Sequence, residues 1–293
     1  MADPIPPTRV FSPARAEAEV AAHPTKLPQT QDPAYRLAFQ DMDFLLREDL
    51  RPVRFQLELL KPELLLDEAK IASTFVFYGS ARIPEPERAQ SLVDTAMTDQ
   101  QRLIAERLKE KSRYYDIARE LAAKASRVDR DPAGNRHLVV CSGGGPSIME
   151  AANRGAADVG VDTIGLNIVL PHEQAPNPYV TPHLSFQFHY FALRKMHFLL
   201  RARAVAVFPG GFGTFDEAFE LLTLIQTHKI ERIPVIFFGR EFWDRVVNFE
   251  ALVEEGVVSP ADLDIITYCE TADEAWRHIC QFYEGEEPPL SCD

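Results

Sequence analysis

Three apolar, β-type runs in this chain end in glycine, and that recurrence constrains the fold more than any other feature. They are STFVFYGSAR (73–82), HLVVCSGGGPS (137–147) and VAVFPGGFGT (205–214). A stretch of helical character follows each. Buried strands alternating with helices demand a parallel sheet covered on both faces. In an open sheet of that kind the ligand crevice lies beyond the carboxyl ends of the strands, where strand order reverses. Glycine there lets backbone N–H groups approach a ligand closely. The helix that follows offers its free N–H groups and positive dipole end to an anion, phosphate above all.

The rest of the chain fits this rhythm. TIGLNIVL (163–170) and PVIFFG (234–239) read as strands, and residues 171–183 as a proline-rich loop. Residues 185–202 read as a strand or turn followed by a helix, and a helix is expected from 240 to about 255, before a last strand and helix. Residues 85–128 read as one long helix or two. The first 34 residues carry seven prolines and little periodicity, as in a flexible arm. Residues 35–70 show helical spacing (Leu37, Phe44, Leu45, Phe55, Leu59, Leu60), with Pro52 and Pro62 expected to break it into short pieces. The expected class is therefore α/β, a Rossmann-like parallel sheet with helices on both faces, plus an N-terminal helical extension. The expected division is an arm at 1–34, a helical extension at 35–70 and a nucleotide-binding catalytic domain at 71–293.

Charge and cysteine usage exclude other classes. A net charge of −13 opposes general phosphate-backbone binding, so no nucleic-acid partner is expected. The four cysteines form no CxxC pair and no zinc-ligand spacing, so no metal is expected, and Cys141 reads as a small core residue. His172, His183, His189 and His197 are scattered and read as structural or solvated. No apolar signal core opens the chain and no run approaches a membrane span, so a cytoplasmic protein without a membrane partner is expected.

The glycine loops fit neither of two common nucleotide motifs. No lysine follows them as a Walker loop requires, and Asp216 and Ile148 stand where a dinucleotide fingerprint needs its third glycine. Carboxylates follow the third loop. Thr214-Phe-Asp-Glu217 matches a helix capping box, which would give Glu217 a structural role. A bound phosphate would compete for the same N–H groups and turn Glu217 toward the crevice. There it could activate water, or stabilise a cationic sugar, during cleavage of a glycosidic bond. Arg194-Lys195, placed after a strand, reads either as a solvated basic pair or as the group that holds the substrate.

PGGFGTFDE (209–217) fits PGGxGTxxE, the signature of the LOG family, whose members are often labelled "lysine decarboxylase". With GSAR (79–82), SGGGPSIMEAANRGA (142–156) and the upstream Arg-Lys pair, the chain resembles the longer, bacterial-type members over about residues 73–240. The resemblance implies a phosphoribohydrolase of the cytokinin-activating or AMP nucleosidase type. Such an enzyme converts AMP or an N6-substituted AMP to free base and ribose 5-phosphate, and needs no cofactor. It implies Arg194 and Glu217 as catalytic residues. It implies a substrate cradle of Gly79, Ser80, Gly143, Gly144, Gly145, Glu173, Lys195, Gly210, Gly211, Gly213, Thr214 and Thr223. It also implies a homodimer or higher homo-oligomer. The N-terminal 70 residues, the long segment 85–128 and the loop PHEQAPNPYVTPHL (171–184) depart from the short plant-type members. The sequence shows no evident pyridoxal-phosphate lysine motif that would support the decarboxylase label. Two other readings of the same fold are a non-catalytic nucleotide or cofactor carrier and a DNA-processing protein with similar glycine loops. The intact Arg194 and Glu217 oppose the first and the acidic charge opposes the second.

Overall fold

A computed structural model describes residues 11–171 and 175–285. The chain forms two compact units, Met1–Leu60 and Lys61–Asp293.

In the first unit the described chain is a series of short helices, beginning at Ala14–Ala21. Aspartates start two of them: Asp32 accepts from the Ala34 amide at 2.9 Å and Asp41 from the Phe44 amide at 3.2 Å. Arg54 donates to the carbonyls of Leu45 and Arg47, at 2.9 and 2.6 Å. The helix Arg51–Glu68 carries the chain into the second unit. It runs unbroken for 18 residues, contrary to the expected break at each proline. Pro52 occupies the first turn, where its missing N–H costs nothing. Pro62 lies inside the helix and is buried, so apolar packing offsets the single lost backbone bond.

The second unit is built on seven strands: β1 (Thr74–Tyr78), β2 (Val139–Ser142), β3 (Ile164–Ile168), β4 (Ser185–Phe188), β5 (Ala202–Val207), β6 (Val235–Phe238) and β7 (Ile266–Cys269). All pairings are parallel, in the order β4-β3-β2-β1-β5-β6-β7. The chain runs outward from β1 to β4 and then returns to set β5 against β1. The switch point therefore lies between β1 and β5.

Every residue of β1 is buried, because helices cover both faces. Phe75 and Phe77 join one core with the helices Arg113–Ala125, Ile148–Asp158 and Ala272–Phe282. On the other face Tyr78 meets Phe198 edge-on at 5.1 Å, and Phe237 packs on Trp243 at 4.6 Å. Phe208 stacks on Phe238 at 4.3 Å. Each such buried ring contributes roughly 1.5–3 kcal/mol, so the start of the third glycine loop is held firmly.

The segment 85–128 folds as three helices, Pro86–Asp94, Asp99–Lys111 and Arg113–Ala125, one more than expected. Thr98 starts the second by accepting from the Gln101 amide while Gln101 accepts from the Thr98 amide, both at 3.1 Å. The single helix expected to about 255 is likewise two, Arg240–Val246 and Phe249–Glu254. Asn248 interrupts it, accepting from the Ala251 amide at 3.1 Å. None of the described helices is long and apolar enough to cross a membrane.

Candidate active site

The loops after β1 and β5 meet at the switch point. The Ser80 amide donates to the Pro209 carbonyl at 3.1 Å. Together with the loop after β2 they border a cleft of about 1180 Å³. Gly79, Ser80, Gly143, Gly145, Gly210, Gly211, Gly213, Thr214, Arg194 and Glu217 all line it.

The glycines have different reasons for their identity. A Cβ on Gly79 would lie 2.6 Å from the Ile148 side chain, so the helix Ile148–Asp158 could not approach β1. A Cβ on Gly143 would collide with the Arg194 guanidinium and come within 2.8 Å of Met149 Sδ. Gly144 has φ +71°, a left-handed conformation that favours glycine, and packs against Asn167. Gly210 is crowded by Thr214. Gly211 and Gly213 are crowded by nothing, and neither has a positive φ. The fold does not require glycine at these two positions, and both open onto the cleft.

The helix after β5 runs from Phe212 to Gln226, with Gly211 at its N-cap and no side-chain cap. Of the two readings of Thr214-Phe-Asp-Glu217, the capping box is not formed, since Thr214 and Glu217 both lie inside the helix. Phe215 N–H is the first amide there to bond back, to the Gly211 carbonyl at 3.0 Å. The preceding amides of this first turn point beyond the helix end, the usual geometry for receiving an anion.

Glu217 lies one turn further in, with its side chain 13% exposed, and Arg194 faces it with 11%. Arg194 Nη1 donates to Glu217 Oε1 at 3.3 Å, and Nε donates to the Leu166 carbonyl at 2.7 Å. Its guanidinium also lies over the Phe198 ring at 5.0 Å. The arginine is thus fixed by β3 and by its own helix, Phe191–Leu200. Burial raises the Glu217 pKa from 4.5 to about 7, Arg194 offsetting part of that effect. A carboxyl group poised near neutrality beside a fixed cation can exchange a proton with water or a leaving group at working pH.

A buried polar network holds the second glycine loop. Asn177 Nδ2 donates to the carbonyls of Gly144 and Gly145 at 3.1 and 3.0 Å and to Asn153 Oδ1 at 2.9 Å. Ser142 Oγ donates to Asn153 Oδ1 at 2.7 Å and accepts from the Gly144 amide at 3.0 Å.

The family model described as "Possible lysine decarboxylase" matches residues 149–279, a span that holds both Arg194 and Glu217. A protein of Oryza sativa subsp. japonica, named "Probable cytokinin riboside 5'-monophosphate phosphoribohydrolase LOGL5", is 28% identical over 155 residues. That match takes in 52% of this chain and 60% of the rice protein. "Cytokinin riboside 5'-monophosphate phosphoribohydrolase LOG3" of Arabidopsis thaliana is 25% identical over 175 residues, 59% of this chain and 77% of that protein. Over part of its length the chain is similar to these LOG proteins. Among solved structures, TM1055 is similar at 22% identity and a TM-score of 0.45, covering 71% of this chain and 99% of that one. A molybdenum cofactor carrier protein of Chlamydomonas reinhardtii is similar at 16% identity and a TM-score of 0.39, covering 71% of this chain and 97% of that one. Scores this low bear on neither substrate nor activity.

Three residues expected in the substrate cradle, Gly144, Lys195 and Thr223, do not line the cleft. Lys195, the neighbour of Arg194, donates to Asp216 and pairs with Glu220, both at 3.1 Å. Successive helical positions diverge by about 100°, so the two basic residues face different surroundings. Lys195 instead clamps its helix to the helix Phe212–Gln226. Thr223 Oγ1 donates to the Phe219 carbonyl at 2.8 Å, three turns from the cleft end of that helix. Gly144 is tied into the polar network, its carbonyl accepting from Asn177 and its amide donating to Ser142 Oγ. Glu173 lies outside the described residues. The cleft also has walls that sequence reasoning missed: Asn167, Met149, Phe191 and, from the helix Asp99–Lys111, Ile104, Leu108 and Lys111. Nothing in their local sequence marks them, because tertiary packing alone brings them to the crevice. Among the described residues no three His, Cys, Asp or Glu side chains gather as a metal site.

Proposed function

We propose that the chain hydrolyses the N-glycosidic bond of a purine nucleoside 5′-monophosphate, AMP or an N6-substituted AMP, releasing the base and ribose 5-phosphate. The observation that carries this reading is the nearly buried Arg194–Glu217 pair, set in a cleft behind a glycine loop at the head of a helix. The similarity to proteins named as phosphoribohydrolases supports it.

In this mechanism the free amides at Gly211–Thr214 receive the 5′-phosphate. Glu217 in its ionised form takes a proton from water as the water oxygen bonds to the sugar C1′. The electron pair of the breaking C1′–N bond leaves with the base, which takes up a proton from solvent as Glu217 returns to solvent the one it received from water. Positive charge on the sugar in the transition state is stabilised by the same carboxylate. Arg194 keeps Glu217 oriented and part-ionised, and meets charge on the substrate. Membership of the LOG family, a cytoplasmic location and a homo-oligomeric state belong to the same proposal.

Incubating purified protein with AMP and separating the products tests the reading. Adenine and ribose 5-phosphate from wild type, and neither from Glu217→Gln, are expected. AMP bound but left intact, together with other nucleoside monophosphates, would make the chain a nucleotide carrier instead.

A further inference from the structure

We infer that Lys111 is a phosphate-binding residue of the cleft, supplied by the helix Asp99–Lys111 and lying outside every glycine motif. The inference deepens the nucleotide reading of this cleft and rests on it. Lys111 ends its helix and lines the same cleft as Gly210, Gly211 and Gly213.

The following helix sets its place. Tyr114 packs edge-on against Phe208 at 6.4 Å and fills the space where Gly239 would carry a Cβ. Phe208 directly follows β5, and Gly239 directly follows β6. The end of the helix Asp99–Lys111 is therefore held at the carboxyl ends of those strands. The loop Pro209–Thr214 leaves the sheet at the same end.

The ammonium group has no carboxylate partner within 4.0 Å among the described residues. Its Nζ donates to the Arg107 carbonyl at 3.0 Å, a bond that leaves two N–H groups. The charges that face it come in opposed pairs, Glu110 and Arg107 from its own helix, and Glu241 and Arg245 from the helix Arg240–Val246. Lys195, by contrast, is neutralised by two carboxylates. Partial burial already holds the Lys111 pKa below its ordinary 10.5. A half-buried cation on a cleft wall, with no carboxylate in contact and its more distant charges opposed in sign, gains most from an incoming anion. A phosphoryl dianion seated on the nearby amides supplies that anion. Arg82, exposed on the cleft rim and without an ion pair among the described residues, adds positive potential along the entry path.

Equilibrium binding to wild type, Lys111→Met and Lys111→Arg tests the inference, with AMP, ribose 5-phosphate and adenosine as probes. Lys111→Met is expected to weaken AMP and ribose 5-phosphate by roughly 10- to 100-fold. Adenosine, which lacks the phosphate, should change by less than about twofold, and Lys111→Arg should restore most of the loss. An unchanged AMP affinity in Lys111→Met would overturn the inference. Equal weakening of AMP and adenosine would do the same, since that pattern marks lost packing. The hydrolysis reading is separable, because it fails if wild type releases no adenine, even where phosphate affinity depends on Lys111.

Discussion

Glu217 Oε1 lies 3.3 Å from Arg194 Nη1, and the two side chains come from helices that follow different strands, β5 and β4. The contact is nearly dry, yet burial outweighs the arginine and leaves the carboxyl group with a pKa of about 7. A surface ion pair would have lowered that pKa. The pair is therefore poised for proton transfer more than for stability.

Activity should follow the ionised fraction of Glu217. The kcat/KM for AMP is expected to rise about tenfold per pH unit below 7 and to level off above it. Glu217→Gln should lower kcat by roughly 10²–10⁴-fold and remove this limb. A pH–rate series on both proteins checks the prediction, and a flat wild-type profile between pH 5 and 7 would count against it.

Stability should move the opposite way. The folded state binds the Glu217 proton more tightly than the unfolded chain, whose carboxyl titrates near 4.5. The contribution of this group is most favourable below pH 4.5, falls as pH rises toward 7 and is constant above. The full difference is on the order of 3 kcal/mol. Urea melts at pH 5 and pH 8 should show a smaller pH effect in Glu217→Gln than in wild type.

Gly211 offers a substitution that separates binding from folding. A Cβ there meets nothing within 4 Å, and the backbone conformation suits any residue. Gly211→Ala is expected to leave the urea midpoint within about 0.5 kcal/mol of wild type. It should weaken AMP by about tenfold or more, because the methyl group enters space that the phosphate needs. Calorimetry on the folded variant reads both effects.

Arg201 carries stability away from the cleft. It donates to both Glu63 carboxylate oxygens at 3.2 and 3.0 Å, to Asp67 at 2.8 Å and to the Ile71 carbonyl at 2.6 Å. Arg201→Met should cost about 3 kcal/mol, since it strands a buried carbonyl and a half-buried carboxylate. Specific activity per folded molecule should stay unchanged, which a melt paired with an assay at low temperature would show.

Much of this protein was legible in its residues. Continuous apolar runs within 73–82, 137–147 and 205–214 gave away the strands, and the glycines ending them the crevice, because burial on both faces permits few other residue patterns. PGGFGTFDE and Arg194-Lys195 pointed to the chemistry. What the residues could not show is which of these neighbours face one another. Arg194 and Lys195 are adjacent in sequence, yet one meets Glu217 in the cleft and the other is held by Asp216 and Glu220. Thr214 and Glu217 had the spacing of a cap, but the helix begins before them at Phe212. Lys111 and Asn177 carry no local signal at all. Local patterns determine elements, because backbone hydrogen bonding and apolar burial act over a few residues. Strand order and helix packing decide partnership, because they bring together charges that lie tens of residues apart along the chain. Here the β1–β5 switch point sets the Glu217 environment, and with it the carboxyl pKa that the sequence alone leaves at its ordinary value.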